Sequence, residues 1–309
     1  PMVRTASEPR RPRPWMRLLG AGLLLSLALP ARALTVFACE PEWAALTRVL
    51  APQARLHVAT HAGQDPHHIE ARPSLIAQLR AADLAVCTGA GLESGWLPML
   101  RQRAGREPLL FEASDYVALI DAQPGARATP WSGDVHAEGN PHIHTDPRRL
   151  LEVAAGLAEQ LQALLPAAER PAVAQRLAVF QQNWRGRIAA WERQAAPLRG
   201  RAVAAQHSSF GYLFAWLGLR PVADLEPKPG MAPIPGHLQQ LLTSLRAQPP
   251  AAVVISSYQD PRPGRWLSGQ LGGTPLLVLP ATVAEDAAAP ELAQWMDGLL
   301  QQLLTMPGR

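Results

Sequence analysis

From residue 34 onward, short apolar runs alternate with stretches in which apolar residues recur every three or four positions. Runs at 34–38, 55–59, 83–87 and 108–111 have strand length, whereas 43–50 and 74–81 have helical spacing, and that difference in period separates the two kinds of element. Pro73-Ser74 supplies a helix start. The order βαβα predicts a parallel sheet covered by helices. Residues 121–141 are rich in Gly, Pro and Ala and show no periodicity, so a long loop is expected there, of the kind that often carries function. From 146 to 197 the helical spacing returns, interrupted near Pro166 and Pro171. Two helices are predicted, the second over 171–195 and roughly 35 Å long. By periodicity alone that helix is either a rigid strut or an ordinary packing helix. Beyond it the alternation resumes, with strands expected at 202–205, 253–256 and 276–279 and helices at 212–217, 237–246 and 290–304. The second half repeats the architecture of the first without a residue-level repeat. The simplest assembly is α/β, with two similar lobes and a cleft between them.

Composition changes the picture at the N-terminus. Residues 1–33 contain Arg10, Arg11, Arg13 and Arg17, an apolar run over 18–29, and Ala31-Arg32-Ala33, which together read as a secretory signal peptide with its cleavage site. The mature chain then starts at Leu34. The apolar run falls short of the roughly 20 residues that span a bilayer, which argues against a permanent anchor. The chain carries a formal charge of +4. The leader holds six arginines against Glu8, which leaves the mature chain near −1. The basic balance is therefore a targeting signal, and affinity for a nucleic-acid backbone is not expected.

Export also bears on the two cysteines, Cys39 and Cys87, each of which ends an apolar run. If those runs are neighbouring parallel strands, a disulfide is geometrically open to them in an oxidising compartment. The alternative is two buried free thiols.

Among nine histidines, His67, His142 and His207 each sit where a loop follows an apolar run. In open α/β sheets the carboxyl ends of strands are where ligands bind. Neutral imidazole is the commonest metal ligand, and three of them supply three corners of a zinc tetrahedron. The one H-x-x-x-H pair, His57 and His61, includes none of these three, and no C-x-x-C is present, so spacing alone is weak support. His68 and His144 are expected to line the pocket. His136, on the long loop, could collect metal but reads rather as a solvated histidine, His237 reads as a helix-start residue, and His57 and His61 have no assigned role. Asp65 and Asp146 flank prolines and suit turns, or else accept the free N–H of a ligating imidazole.

Several motifs carry a resemblance. They are Gly63-Gln64-Asp65-Pro66-His67, Ala82-Asp83-Leu84 leading to Gly91-Leu92-Glu93 and Trp96-Leu97, and Asn140-Pro141-His142 with Asp146-Pro147. Gln206-His207 before Phe210-Gly211-Tyr212, and Glu226-Pro227-Lys228-Pro229-Gly230 through His237-Leu238, complete the set. In that order they resemble the zinc-binding solute receptors of metal ABC importers in the bacterial periplasm. The resemblance implies two α/β lobes, 34–168 and 199–309, joined by a rigid linking helix over 169–198, with one metal in the cleft. It places the ligands at His67, His142 and His207. A histidine at the third position points to zinc, because manganese prefers oxygen. Many relatives carry an aspartate ligand after the last strand, where this chain has Pro280. Water, then Asp260, then His144 or Asp65, are the expected candidates for the fourth position. The implied function is capture of zinc and delivery to an inner-membrane ABC permease by a monomer. The competing classes are a zinc hydrolase with a three-histidine site, and a metal-binding adhesin or chaperone. Against the hydrolase, no G-x-S-x-G and no H-E-x-x-H is present.

Overall fold

The computed structural model describes residues 33–122, 134, 136–284 and 291–307. Apart from Ala33 the expected leader lies outside them, as does much of the expected long loop. The first lobe runs β1 (Thr35–Ala38), α1 (Pro41–Leu50), β2 (Arg55–Val58), α2 (Pro73–Ala81), β3 (Leu84–Cys87), α3 (Leu97–Ala104) and β4 (Leu109–Glu112). Then come α4 (Pro147–Leu164) and α5 (Arg170–Gln194). The second lobe runs β5 (Ala202–Ala205), α6 (Gly211–Leu217), β6 (Arg220–Asp224), α7 (Pro235–Leu245), β7 (Ala252–Ser256), α8 (Pro261–Gln270), β8 (Leu276–Leu279) and α9 (Glu291–Leu304). Both sheets are parallel, with orders β2-β1-β3-β4 and β6-β5-β7-β8. In each, the chain leaves the first strand to one side and later returns to the other. The crevice that such a reversal opens lies at the carboxyl ends of the strands.

Strand periodicity divides each sheet between two cores. Val36, Ala38, Leu84 and Val86 point into one cluster with α1, α4 and α5, while Phe37, Cys39, Ala85 and Cys87 point into another with α2 and α3. The second sheet repeats this: Val203, Ala205, Ala252 and Val254 join the first cluster, and Ala204 and Val253 face α7 and α8. The inner faces of both sheets therefore share one continuous core. Cys39 and Cys87 fall on the same outer face of adjacent strands, and they form a disulfide with Cα atoms 4.8 Å apart.

Helix α5 has 25 residues, a length of about 37 Å, and it buries Val173, Phe180, Trp184, Ile188 and Trp191. The Trp184 indole donates to the Pro147 carbonyl at 2.8 Å, and that of Trp191 to Asp297 at 2.6 Å. It is thus pinned to α4 at one point and to α9 at another.

Three elements depart from the sequence pattern. Helix α3 buries only Leu97, Leu100 and Ala104, too few to print a periodicity. Strand β6 contains Pro221 and has no buried residue. It is an edge strand, where the missing proline N–H costs no ladder bond. Helix α8 begins Pro-Arg-Pro-Gly, yet Asp260 caps it by accepting from the Arg262 N–H at 3.0 Å.

Candidate metal centre

His67 reaches the cleft from the loop after β2. Asp65 Oδ1 accepts from the His67 backbone N–H at 3.0 Å and lies 2.8 Å from its Nδ1. A carboxylate only accepts, so Nδ1 carries the proton and Nε2 presents its lone pair to the cleft. The Trp96 indole donates to the Pro66 carbonyl at 2.9 Å and holds the loop down. His207 follows β5 with a left-handed φ of +65°, a conformation that costs a non-glycine residue on the order of 1–3 kcal/mol. Asp224 Oδ1 accepts its backbone N–H at 3.0 Å, and Glu226 Oε2 lies 3.0 Å from Nδ1. His207 therefore also offers Nε2.

His142 is fixed by a residue whose role the sequence pattern does not reveal. Asn140 Oδ1 accepts from the His142 N–H at 2.9 Å, while its Nδ2 donates to the Ser208 carbonyl at 3.0 Å. The Tyr212 hydroxyl donates to the Asn140 carbonyl at 2.8 Å. Asn140 so ties the His142 loop to the His207 loop, and Gly211 is required beside it, because a Cβ there would lie 2.8 Å from Asn140 Nδ2.

All three histidines are buried. Their ring centroids form a nearly regular triangle of 5.4, 5.2 and 5.3 Å, and one nitrogen from each lies within 4.8 Å of the others. The Nε2 atoms of His142 and His207 are 3.3 Å apart. Tetrahedral zinc with Zn–N near 2.0–2.1 Å requires about 3.3–3.4 Å between ligand nitrogens.

A fourth imidazole joins them. His136 Nε2 is 3.2 Å from His67 Nε2, and the two rings stack with centroids 5.3 Å apart. The expectation of a solvated loop histidine is thereby corrected. Two of the expected fourth ligands, Asp260 and His144, are engaged elsewhere. Asp260 caps α8 and pairs with Arg262 at 2.6 Å, on an exposed turn. His144 contacts the Ala281 carbonyl at 3.0 Å and Glu42 at 3.3 Å. Asp65 closes the turn through the His67 backbone N–H and also accepts its ring N–H, so both readings of it meet in one oxygen.

Residues 36–306 match the model of the family described as zinc-uptake complex component A, periplasmic. The chain belongs to this ZnuA family. It is 24% identical over 203 residues to the high-affinity zinc uptake system protein ZnuA of Yersinia pestis, an alignment that takes in 59% of this chain and 62% of that protein. A match to the zinc-binding lipoprotein AdcA of Streptococcus pneumoniae takes in 40% of the lipoprotein. A crystal structure of ZnuA superposes with a TM-score of 0.75 at 19% identity, covering 89% of this chain and 99% of that one. The periplasmic zinc-binding protein TroA of Treponema pallidum gives 0.72 at 18%, covering 90% and 100%. The two-lobed α/β fold with its long intervening helix is thus that of the ZnuA family.

The electrostatics of this ZnuA-family site favour the neutral form at His142 and His136 and the cation at His207. Burial, with His207 and His67 nearby, holds His142 well below its ordinary value. Burial and His67 push His136 down to about 4. At His207 burial also opposes the cation, but the Glu226 carboxylate outweighs it and the value is raised. Nitrogens facing one another at 3.2–3.3 Å repel when both are unprotonated, and a shared proton or a metal cation between them relieves this.

Over the site, two loops meet. Asp134 donates its N–H to the Pro229 carbonyl at 3.1 Å, and Gly230 N–H donates at 2.8 Å to the same Glu226 oxygen that faces His207. Gly230 has φ +74°, and a Cβ there would lie 2.7 Å from the Asp134 nitrogen. Gly230→Val is expected to pry this clasp open without touching an imidazole. A stopped-flow chelator chase should then show zinc leaving several-fold faster than from wild type, and an unchanged rate would remove the clasp from the release path.

Proposed function

We propose that this protein captures zinc in the periplasm and delivers it to an ABC permease in the inner membrane. The observation that carries this reading is the inward convergence of the His67, His142 and His207 nitrogens from three loops. His136 supplies a fourth nitrogen from the long loop. Imidazoles suit zinc better than manganese or magnesium, and the names of the relatives agree. Export through the leader over 1–33 and action as a monomer complete the proposal, with lobes over 34–168 and 199–309 and a linking helix over 169–198. A receptor fits better than an enzyme, because Asp65 and Glu226 are both spent on orienting imidazoles.

The shared core and the pinned α5 favour modest lobe movement, with zinc entering a largely preformed site. The test is a competitive zinc titration of metal-stripped protein, with manganese as control. Tight one-to-one zinc binding that ignores manganese is expected; affinity weaker than micromolar would defeat the proposal. Asp65→Ala and Glu226→Ala, which remove the partners that fix ligand tautomers, should each weaken zinc by about 10–100-fold. If both variants bind as wild type does, the orienting role assigned to these carboxylates is wrong.

A further inference from the structure

A second group of metal-ligating atoms lies apart from the histidines. Cys39 follows β1, Cys87 ends β3, and Glu93 folds back from the next turn. The two sulfurs and a Glu93 carboxylate oxygen all lie within 4.8 Å of one another. Both cysteines are fully buried and Glu93 is 3% exposed. Glu93 is held rigidly: Oε1 accepts the Thr88 N–H at 2.6 Å and Oε2 the Gly89 N–H at 3.1 Å, and each oxygen keeps a second lone pair. Next to Cys39, Glu40 is also 3% exposed, and its Oε2 accepts from the Thr88 hydroxyl at 3.1 Å. Its Oε1 is buried with no hydrogen-bond partner among the described residues. Leaving such an oxygen unsatisfied is costly.

We propose that reduction of the Cys39–Cys87 disulfide opens a second metal site, in which the two thiolates and the Glu93 carboxylate hold a zinc-class dication. The disulfide sulfurs are poor ligands, whereas thiolates are among the best for zinc. The Glu40 carboxyl lies against that of Glu93 and would help hold this ligand in place. The chemistry balances with a dithiol as reductant. It gives two electrons and two protons to the S–S bond, leaving two protein thiols and becoming a disulfide itself. Each protein thiol then loses its proton as its bond to the metal forms, releasing two protons per ion. A small cavity lined by Glu40, Thr60, Gln64 and His142 lies between Glu40 and the histidine centre. The oxidation state of one bond would thus set how many ions the chain holds.

The test compares the oxidised protein with protein treated with a phosphine reductant until two thiols per chain are counted. Zinc stoichiometry should rise from one to two. Cobalt(II) should give a sulfur-to-cobalt charge-transfer band only in the reduced form, weakened about tenfold in apparent affinity by Glu93→Gln. A stoichiometry that stays at one with no such band overturns the proposal. A second ion that persists in a Cys39→Ser, Cys87→Ser double variant also overturns it. If reduction unfolds the chain, recovery of native circular dichroism on adding zinc supports the site, and failure to recover refutes it. His142→Ala should leave the sulfur–cobalt band intact, so the two metal readings fail separately.

Discussion

His142→Ala is expected to weaken zinc binding by about two orders of magnitude. Zinc sites with four protein ligands bind with roughly 10–16 kcal/mol, so one ligand's share is about 3 kcal/mol, on the order of 100-fold. His142 is the best position for the test because its ring lies 5.4 and 5.3 Å from those of His67 and His207, and its loop is fixed through Asn140 independently of the imidazole. The fold should therefore survive. His68→Ala is the matched control: that side chain is 68% exposed, and its loss should change affinity little. Equal affinity in the two variants would place the metal elsewhere.

Replacing Cys39 and Cys87 together by serine is expected to cost about 4 kcal/mol of stability in metal-free protein. The bridged residues are 48 apart, and closing a loop of that size in the unfolded chain accounts for roughly that figure. For a domain of this size the thermal midpoint should fall by roughly 10 °C. Zinc must be absent during the measurement, since a bound ion raises the midpoint by mass action. An unchanged midpoint would mean that the sulfurs' burial, and not the cross-link, holds this corner of the first sheet.

Much of this fold is legible because its strands are short and uniformly apolar and its helices strongly periodic. The disulfide follows from two cysteines ending neighbouring strands on one face. What escapes the pattern does so for local reasons. Helix α8 hides behind two prolines and two glycines and depends on the Asp260 cap, and β6 is an edge strand whose exposed face carries no alternation. The grouping of His67, His142 and His207 rests on the resemblance, to which their places after apolar runs add only weak support. His136 lacks even that: it sits on a stretch without periodicity, and its nearness to His67 is purely tertiary. Asn140 is similarly silent, since its two hydrogen bonds join segments 68 residues apart. Its place before Pro141-His142 was the one available signal.

The continuous core that both sheets share has a consequence for the evolution and engineering of this architecture. Trp184 and Trp191 on α5, the inner residues of β1 and β3, and those of β5 and β7 belong to one apolar cluster. Neither half can be excised as a free-standing module, since a cut between α4 and α5 would strip a common wall from both. Duplicated in topology, the halves are fused in thermodynamics. A substitution such as Trp184→Ala should therefore lower a single melting transition, and should not release one half to melt ahead of the other.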